Sequence, residues 1–296
     1  MEELTFLLQE IRFKIDDHLK KTIAIFCKNT PHRLYEAMEY SALSPGKRFR
    51  SFLLLEFGQA FEVPETQLLQ VATAIEFVNA YSLVHDDLPC MDDAALRRGQ
   101  PTTHLKFDEA TALLAGNSLL TAAFQLLSME DTHSDPTIRL HLIMALAKAC
   151  GSQGMMGGQM LDLLGETRLF SLDEIQQMQT LKTGALLIFS CEAAAILGNK
   201  DAHLINEVRR FSTHLGLAFQ ITDDLLDYES SPEKTGKTVG LDKQANKATF
   251  VKLLGIEEAR IRAKEEVEKA LLALQEIGLS SSKLEKAALS LLTRSL

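Results

Sequence analysis

Apolar residues recur at three- and four-residue spacing along almost the whole chain, the period of a helix with one buried face. Leu4, Leu7, Leu8, Ile11 and Ile15 form the first such stripe. Pro31 reads as the first residue of a second helix, capped by Thr30, since proline suits a first helical turn. A third helix starts near Arg48. Pro64 opens a long fourth one with Leu68, Val71, Ala72, Ile75, Val78 and Ser82 on one face. The pattern predicts further helices over 107–129, 136–150, 171–197, 201–228, 244–254, 256–276 and 281–294. No stretch alternates with the period of a strand. Breaks fall at Ser44-Pro45-Gly46, Gly99-Gln100-Pro101, Ser134-Asp135-Pro136, Gly154 to Gly158 and Ser230 to Gly240, and none is a linker-like tract. The expectation is one all-α domain over residues 1–296, a bundle of roughly ten or more helices around a central cavity.

Composition supports helix over strand: glycine and proline are sparse and tryptophan is absent. With 46% hydrophobic and 24% charged residues the chain can bury a sizeable core. Its net charge of −9 excludes the basic stripe of a nucleic-acid binder. Cys27, Cys90, Cys150 and Cys191 lie far apart with no CxxC pair, as expected of free thiols in a reducing cytosol. The N-terminal MEELTFLLQEIRFKID is acidic and amphipathic, unlike a signal peptide. The longest apolar run, Gly184 to Gly198, is interrupted by Glu192 and falls short of the ~20 residues of a membrane span. A cytoplasmic protein without a membrane span is the expectation.

Charge placement then changes the picture. "HDDLPCMDDAALRRGQ" (85–100) gathers four aspartates within eight positions and follows them with two arginines. Ile75, Asn79, Ser82 and Asp86 share one helical face, so Asp86 emerges from the core-facing stripe. Pro89 should disturb the helix and let Asp92 swing back toward Asp86. A second cluster, "FQITDDLLD" (219–227), puts Gln220, Asp223 and Asp227 on one face of another apolar helix. Alone, the first cluster reads as readily as a solvated acidic helix end, and the second less readily so. Two on otherwise apolar helices are harder to dismiss, because aspartate is a poor helix former and crowded carboxylates raise one another's pKa unless cations neutralise them. Mg²⁺ suits such sites: it takes oxygen ligands and often shares its shell between one or two carboxylates and a substrate phosphate. Arg97 and Arg98 offer planar forks for phosphate oxygens. "GKRFR" (46–50) supplies Lys47, Arg48 and Arg50; "LKTG" (181–184) and "KTGKTVGLDKQANK" (234–247) add Lys182, Thr183, Lys237 and Lys247. Each alone is ordinary surface decoration, but together they exceed what one phosphate cluster needs and suggest two phosphorylated substrates.

With both aspartate clusters, GKRFR, KTG and FQ in this order, the sequence resembles the trans-prenyltransferases, the short-chain isoprenyl diphosphate synthases. The likeness runs from about residue 40 to residue 250. It implies the all-α isoprenoid synthase fold, with the two acidic motifs facing each other across a deep cavity, usually in a homodimer. It further implies that Asp86, Asp92 and Asp223 ligate Mg²⁺, three ions with substrate bound, and that Asp87, Asp93, Asp224 and Asp227 support them. Arg97, Lys182, Thr183, Gln220, Lys237 and Lys247 would face the allylic diphosphate, with all but Lys247 assisting catalysis. Lys47, Arg50 and Arg98 would hold isopentenyl diphosphate, with Asn79 at the place of a frequent histidine. Ala94 and Ser51 likewise stand where an aspartate and a proline are frequent.

The chemistry implied is ionisation of the allylic C–O bond, stabilised by Mg²⁺ and cationic side chains. The alkene of isopentenyl diphosphate then attacks the carbocation at close range, and a proton is lost to the released diphosphate. Residues 229–246 read as a lid excluding water. Tyr81 lies five residues before Asp86, about 7.5 Å along the helix axis, where with Ser82 it would bound the tail of the growing product. That aromatic, and the two extra residues in DDLPCMD, resemble bacterial farnesyl diphosphate synthases and imply a C15 product. Geranyl or geranylgeranyl diphosphate as main product is the alternative. A metal phosphohydrolase built on His85-Asp86 lacks supporting histidines, a di-iron bundle needs a second ExxH beside Glu130 to His133, and an inactive partner subunit would be expected to lose aspartates that are all present.

Overall fold

The computed structural model describes residues 2–229, 249–279 and 283–292, with side chains from Phe6 onward. The fold is all-α. The helices are α1 (Glu2–Phe26), α2 (His32–Ala42), α3 (Phe49–Ala60), α4 (Glu65–Asp86), α5 (Thr103–Lys106), α6 (Glu109–Ser128), α7 (Pro136–Cys150), α8 (Met155–Gly165), α9 (Leu172–Gln179), α10 (Ala185–Leu197), α11 (Ala202–Glu229), α12 (Phe250–Leu254), α13 (Ile256–Glu276) and α14 (Lys283–Leu292). A π-helical turn, Thr180–Gly184, joins α9 to α10. The chain falls into two compact units: Glu2–Ile143 with Ile196–Gly198, and Met144–Ala195 with Asn199–Leu296.

In the N-terminal unit α4 is the central helix. It is buried nearly all round, with Val71, Ile75, Phe77 and Val78 fully enclosed, and it packs against α3 and α6. One charged residue is buried within it. Glu76, 3% exposed, accepts from Arg48 Nη1 at 2.8 Å and from Ser51 Oγ at 2.5 Å. Arg48 also donates from Nε to Asp16 at 2.8 Å and from Nη2 to the Ala42 carbonyl at 3.0 Å. The GKRFR arginine next to Lys47 is therefore a buried strut between α1, α3 and α4, and Ser51 earns its place as a donor to Glu76. Glu76→Ala would leave Arg48 buried with half its compensation. We expect a loss of about 3–5 kcal/mol in chemical denaturation, the cost of orphaning one member of a buried pair; a loss under ~1 kcal/mol would show the strut to be dispensable.

In the C-terminal unit α11 packs along α13. Ala259, Ala263, Ala270 and Ala273 make a smooth buried stripe on α13, and Leu217, Ile221 and Leu225 of α11 join Phe170, Ile175, Met178 and Phe250 in one apolar cluster. Glu266 is buried there, held by His214 Nδ1 at 2.6 Å and Lys269 Nζ at 2.8 Å. These partners keep its carboxyl at about 2 despite opposing burial.

The structure revises several expected elements. Pro31 and Pro64 adopt extended ψ values of 131° and 132°, so each is the cap and the helix begins one residue later; no side chain caps α2. The Gly154–Gly158 break is instead the start of α8. The expected helix over 171–197 is divided by the π turn. A two-residue hairpin, β1 (Leu96–Arg97) with β2 (Gln100–Pro101), appears where no strand was expected. Two stretches, Glu109–Ser128 and Leu172–Leu197, are long and apolar enough for a membrane span by composition. The second contains the π turn, and the first packs on α4.

Candidate active site

Each acidic cluster sits at the C-terminal end of a long helix, where the macrodipole disfavours negative charge. Asp86 is the last residue of α4 and Asp87 caps it. The chain then folds back: the Asp92 N–H donates to the Asp86 carbonyl at 2.8 Å, and the Asp93 N–H to the Leu88 carbonyl at 3.1 Å. Pro89 does release the helix, and Asp92 does return to Asp86. Both carboxylates are half-buried. Asp87 points elsewhere. It is 3% exposed and receives Arg97 Nε at 2.8 and 3.0 Å and Nη2 at 2.7 Å. This bidentate pair lines a cavity of about 30 Å³ with Tyr40, Ser44 and Thr102, room for one water. Burial lowers the Arg97 pKa, but the Asp87 bond and the charges of Asp87, Asp86 and Asp92 more than restore it.

The hairpin places the next cations. Arg98 and Gly99 both have positive φ, 52° and 77°, the conformation a tight two-residue hairpin turn needs. Arg98 Nη1 donates to the Pro45 carbonyl and presses on Gly46, where a Cβ would lie 2.6 Å from Nη1. Arg50 Nη1 donates to Asn79 Oδ1 at 3.1 Å, and its buried Nε finds no partner among the described residues. Burial pushes the Arg50 pKa down, Glu76 opposes, and the Arg98 charge adds to the fall. Arg98 is lowered too, by burial and then by Arg48 and Arg97. Two guanidinium groups whose charge is disfavoured in place are a natural seat for an anion. Lys47 beside them is exposed. Below this level, Tyr81 is 5% exposed and stands edge-on to His85, ring centroids 5.3 Å apart. Ser82 Oγ donates to the Asn79 carbonyl at 2.9 Å.

In the C-terminal unit, Gly216, Gln220, Asp223 and Asp227 step along one face of α11. Gly216 faces Gly184, a Cβ there lying 3.6 Å from the Gly184 Cα. This close approach sets the π turn, with Lys182 and Thr183, on the α11 face that carries Gln220. Asp223 and Gln220 are half-buried and Asp227 is exposed. Asp224 turns away and accepts from the Phe250 N–H at 2.9 Å, holding the start of α12. Burial raises its pKa to about 7, helped by the charges of Asp227 and Asp223 and opposed by the Phe250 N–H. Lys182 Nζ pairs with Asp162 Oδ2 of α8 at 2.6 Å. Asp162 was not foreseen; the one signal for it was a carboxylate inside the apolar run MLDLLG. Lys237, Lys247 and the expected lid beyond Glu229 lie outside the described residues.

The donor set is all oxygen, and among the described residues no group of three or more His, Cys, Asp or Glu side chains forms a closed metal cage. That incompleteness fits Mg²⁺, which completes its shell with water and substrate phosphate, and does not fit a closed zinc-type site.

Carboxylate clusters thus close two long helices, with lysines and arginines nearby, on an all-α scaffold. Residues 31–287 match the family model described as polyprenyl synthetase. The chain is 48% identical over 231 residues to the farnesyl diphosphate synthase of Geobacillus stearothermophilus, covering 78% of each protein. It is 42% identical over 273 residues to that of Haemophilus influenzae, covering 91% of this chain and 92% of the other. Its structure matches the apo crystal structure of a FPP/GFPP synthase from Zymomonas mobilis with a TM-score of 0.86 at 40% identity, over 97% of this chain and 99% of that one. The chain belongs to the polyprenyl synthetase family.

Proposed function

We propose that the chain joins isopentenyl diphosphate to dimethylallyl or geranyl diphosphate and releases farnesyl diphosphate, acting as one catalytic domain. The observation that carries this reading is the return of Asp92 to Asp86 at the mouth of an apolar helix whose next inward residues include buried Tyr81. On this reading the charged head binds at that mouth and the hydrocarbon tail runs along the helix.

Asp86, Asp92, Asp223 and Asp227 would hold Mg²⁺, three ions with substrate bound, which supplies positive charge to the departing diphosphate. Lys182, Thr183 and Gln220 bind the allylic diphosphate from the π turn and the facing side of α11. Arg50 and Arg98, with Lys47, take isopentenyl diphosphate; Asn79 orients Arg50 through its side-chain oxygen rather than adding a second charge. Arg97 acts mainly through Asp87, fixing the loop that carries Asp92. Departure of the diphosphate leaves an allylic carbocation, which the neighbouring alkene attacks, and the released diphosphate accepts the proton. Enclosure in an apolar site keeps water from the cation. Tyr81, with Ser82 beside it, ends the tail space at C15. The −9 charge and the four unpaired cysteines, three of them buried, support a cytoplasmic protein. The half-exposed apolar helix α6, with Leu113 45% and Leu114 55% exposed, supports a homodimer.

The test is incubation of purified protein with isopentenyl and geranyl diphosphates, with and without Mg²⁺, and chromatography of the dephosphorylated products. Farnesol formed only with the metal is the expected result. Free phosphate without chain extension would point to a hydrolase.

A further inference from the structure

The π turn raises a physical question: what holds a lysine at a fixed point on a substrate-binding face? Its side chain has four rotatable bonds and, left alone, samples many positions. Three contacts restrict Lys182. Its backbone is pressed against α8 at Gly158, where a Cβ would lie 2.1 Å from the Lys182 nitrogen and 2.5 Å from its Cα. The π turn widens the helix at this residue, a distortion that clusters at functional sites. Asp162, one turn after Gly158 on α8, receives the ammonium at 2.6 Å, with side-chain exposures of 24% for Lys182 and 15% for Asp162. Such a short, partly shielded, charge-assisted bond is far more directive than a surface pair.

Donor arithmetic fits the same picture. An ammonium has three N–H bonds. One goes to Asp162, which leaves two for an incoming phosphate. Beside the pair, Gln159 lies three residues before Asp162 on the same side of α8, and its buried side-chain nitrogen has no hydrogen-bond partner among the described residues. A buried donor left open next to a tethered ammonium suits an anionic oxygen.

We propose that Asp162 is a positioning residue for Lys182: the ion pair aims the ammonium at the allylic diphosphate, so that loss of Asp162 impairs that substrate and not isopentenyl diphosphate. The inference rests on the reading of Lys182 as a ligand of the allylic diphosphate.

The experiment compares parent, Asp162→Ala, the near-isosteric Asp162→Asn, Asp162→Glu, Lys182→Ala and the Asp162→Ala/Lys182→Ala double variant. It reads KM for each substrate, kcat and thermal midpoint. Misplacing a group by an ångström can cost on the order of 100-fold, so kcat/KM for geranyl diphosphate should fall about 10- to 100-fold in the Ala and Asn variants. KM for isopentenyl diphosphate should stay within about twofold, a selectivity that a general packing defect lacks. Asp162→Glu should recover part of the loss. In the Lys182→Ala background, removal of Asp162 should add nothing, because residues acting through one contact are not additive. An active parent with unchanged Asp162 variants, equal effects on both substrates, or additive losses would overturn the inference alone. A parent that forms no extended product, or a fully active Lys182→Ala variant, would instead overturn the reading beneath it.

Discussion

Asp86→Ala and Asp223→Ala are each expected to lower kcat on the order of 1,000-fold or more, the scale of removing a group that stabilises charge in the transition state. The fold should survive. Asp86 is half-buried at the C-terminal end of α4, where the helix dipole works against it and the Arg97 charge works for it, so its removal should change stability by less than ~1 kcal/mol. Asp223 shares the last two turns of α11 with Asp224 and Asp227, and their mutual repulsion also falls when one is removed. Lost activity with undiminished stability is the mark of a residue kept for its ligand. Circular dichroism, a thermal midpoint and a rate measurement across Mg²⁺ concentration suffice; near-normal rates in excess Mg²⁺ would refute the assignment.

Tyr81→Ala is expected to move the main product from C15 to C20 and longer. The ring is 5% exposed and braced edge-on by His85, so it cannot swing aside as a flexible side chain would. His85 is itself fixed: its Nε2 lies 3.2 Å from the Leu113 carbonyl, and its ring packs on Gly116, where a Cβ would come within 2.2 Å. Removing a buried aromatic costs about 3–5 kcal/mol and leaves a cavity. The prediction is therefore a product change accompanied by lower thermal stability. Chromatography of the prenyl alcohols reads it directly, and an unaltered C15 profile in a folded variant would take Tyr81 out of the length-setting role.

Helices with a clean apolar stripe were legible in the sequence. α7 and α13 begin and end where the periodicity places them. α8 was hidden because Gly154, Gly157 and Gly158 read as a break, whereas Gly158 is there to let Lys182's backbone come close. Periodicity over 171–197 could not register a π turn, since one inserted residue barely disturbs a broad apolar face. The hairpin at Leu96–Pro101 is too short to alternate, and its signal was the Arg98-Gly99 pair alone. For the site, the return of Asp92 followed from Pro89 and the helix phase. The turning of Asp87 toward Arg97 did not, because adjacent aspartates look alike until the hairpin is built. Nor did the pairing of Lys182 with Asp162, which are twenty residues apart in the chain and meet only once α8 packs on the π turn.

The central claim is that the Asp86–Asp92 cluster and the Asp223 cluster each hold magnesium that carries a diphosphate. A crystal structure with Mg²⁺ and a non-hydrolysable allylic diphosphate analogue tests it most directly. The account predicts metal ligated by Asp86 and Asp92 and metal ligated by Asp223, each in contact with diphosphate oxygens, with Lys182 Nζ bound to a diphosphate oxygen beside Asp223's face of α11. Metal found at only one cluster, or a diphosphate that touches neither, would contradict it.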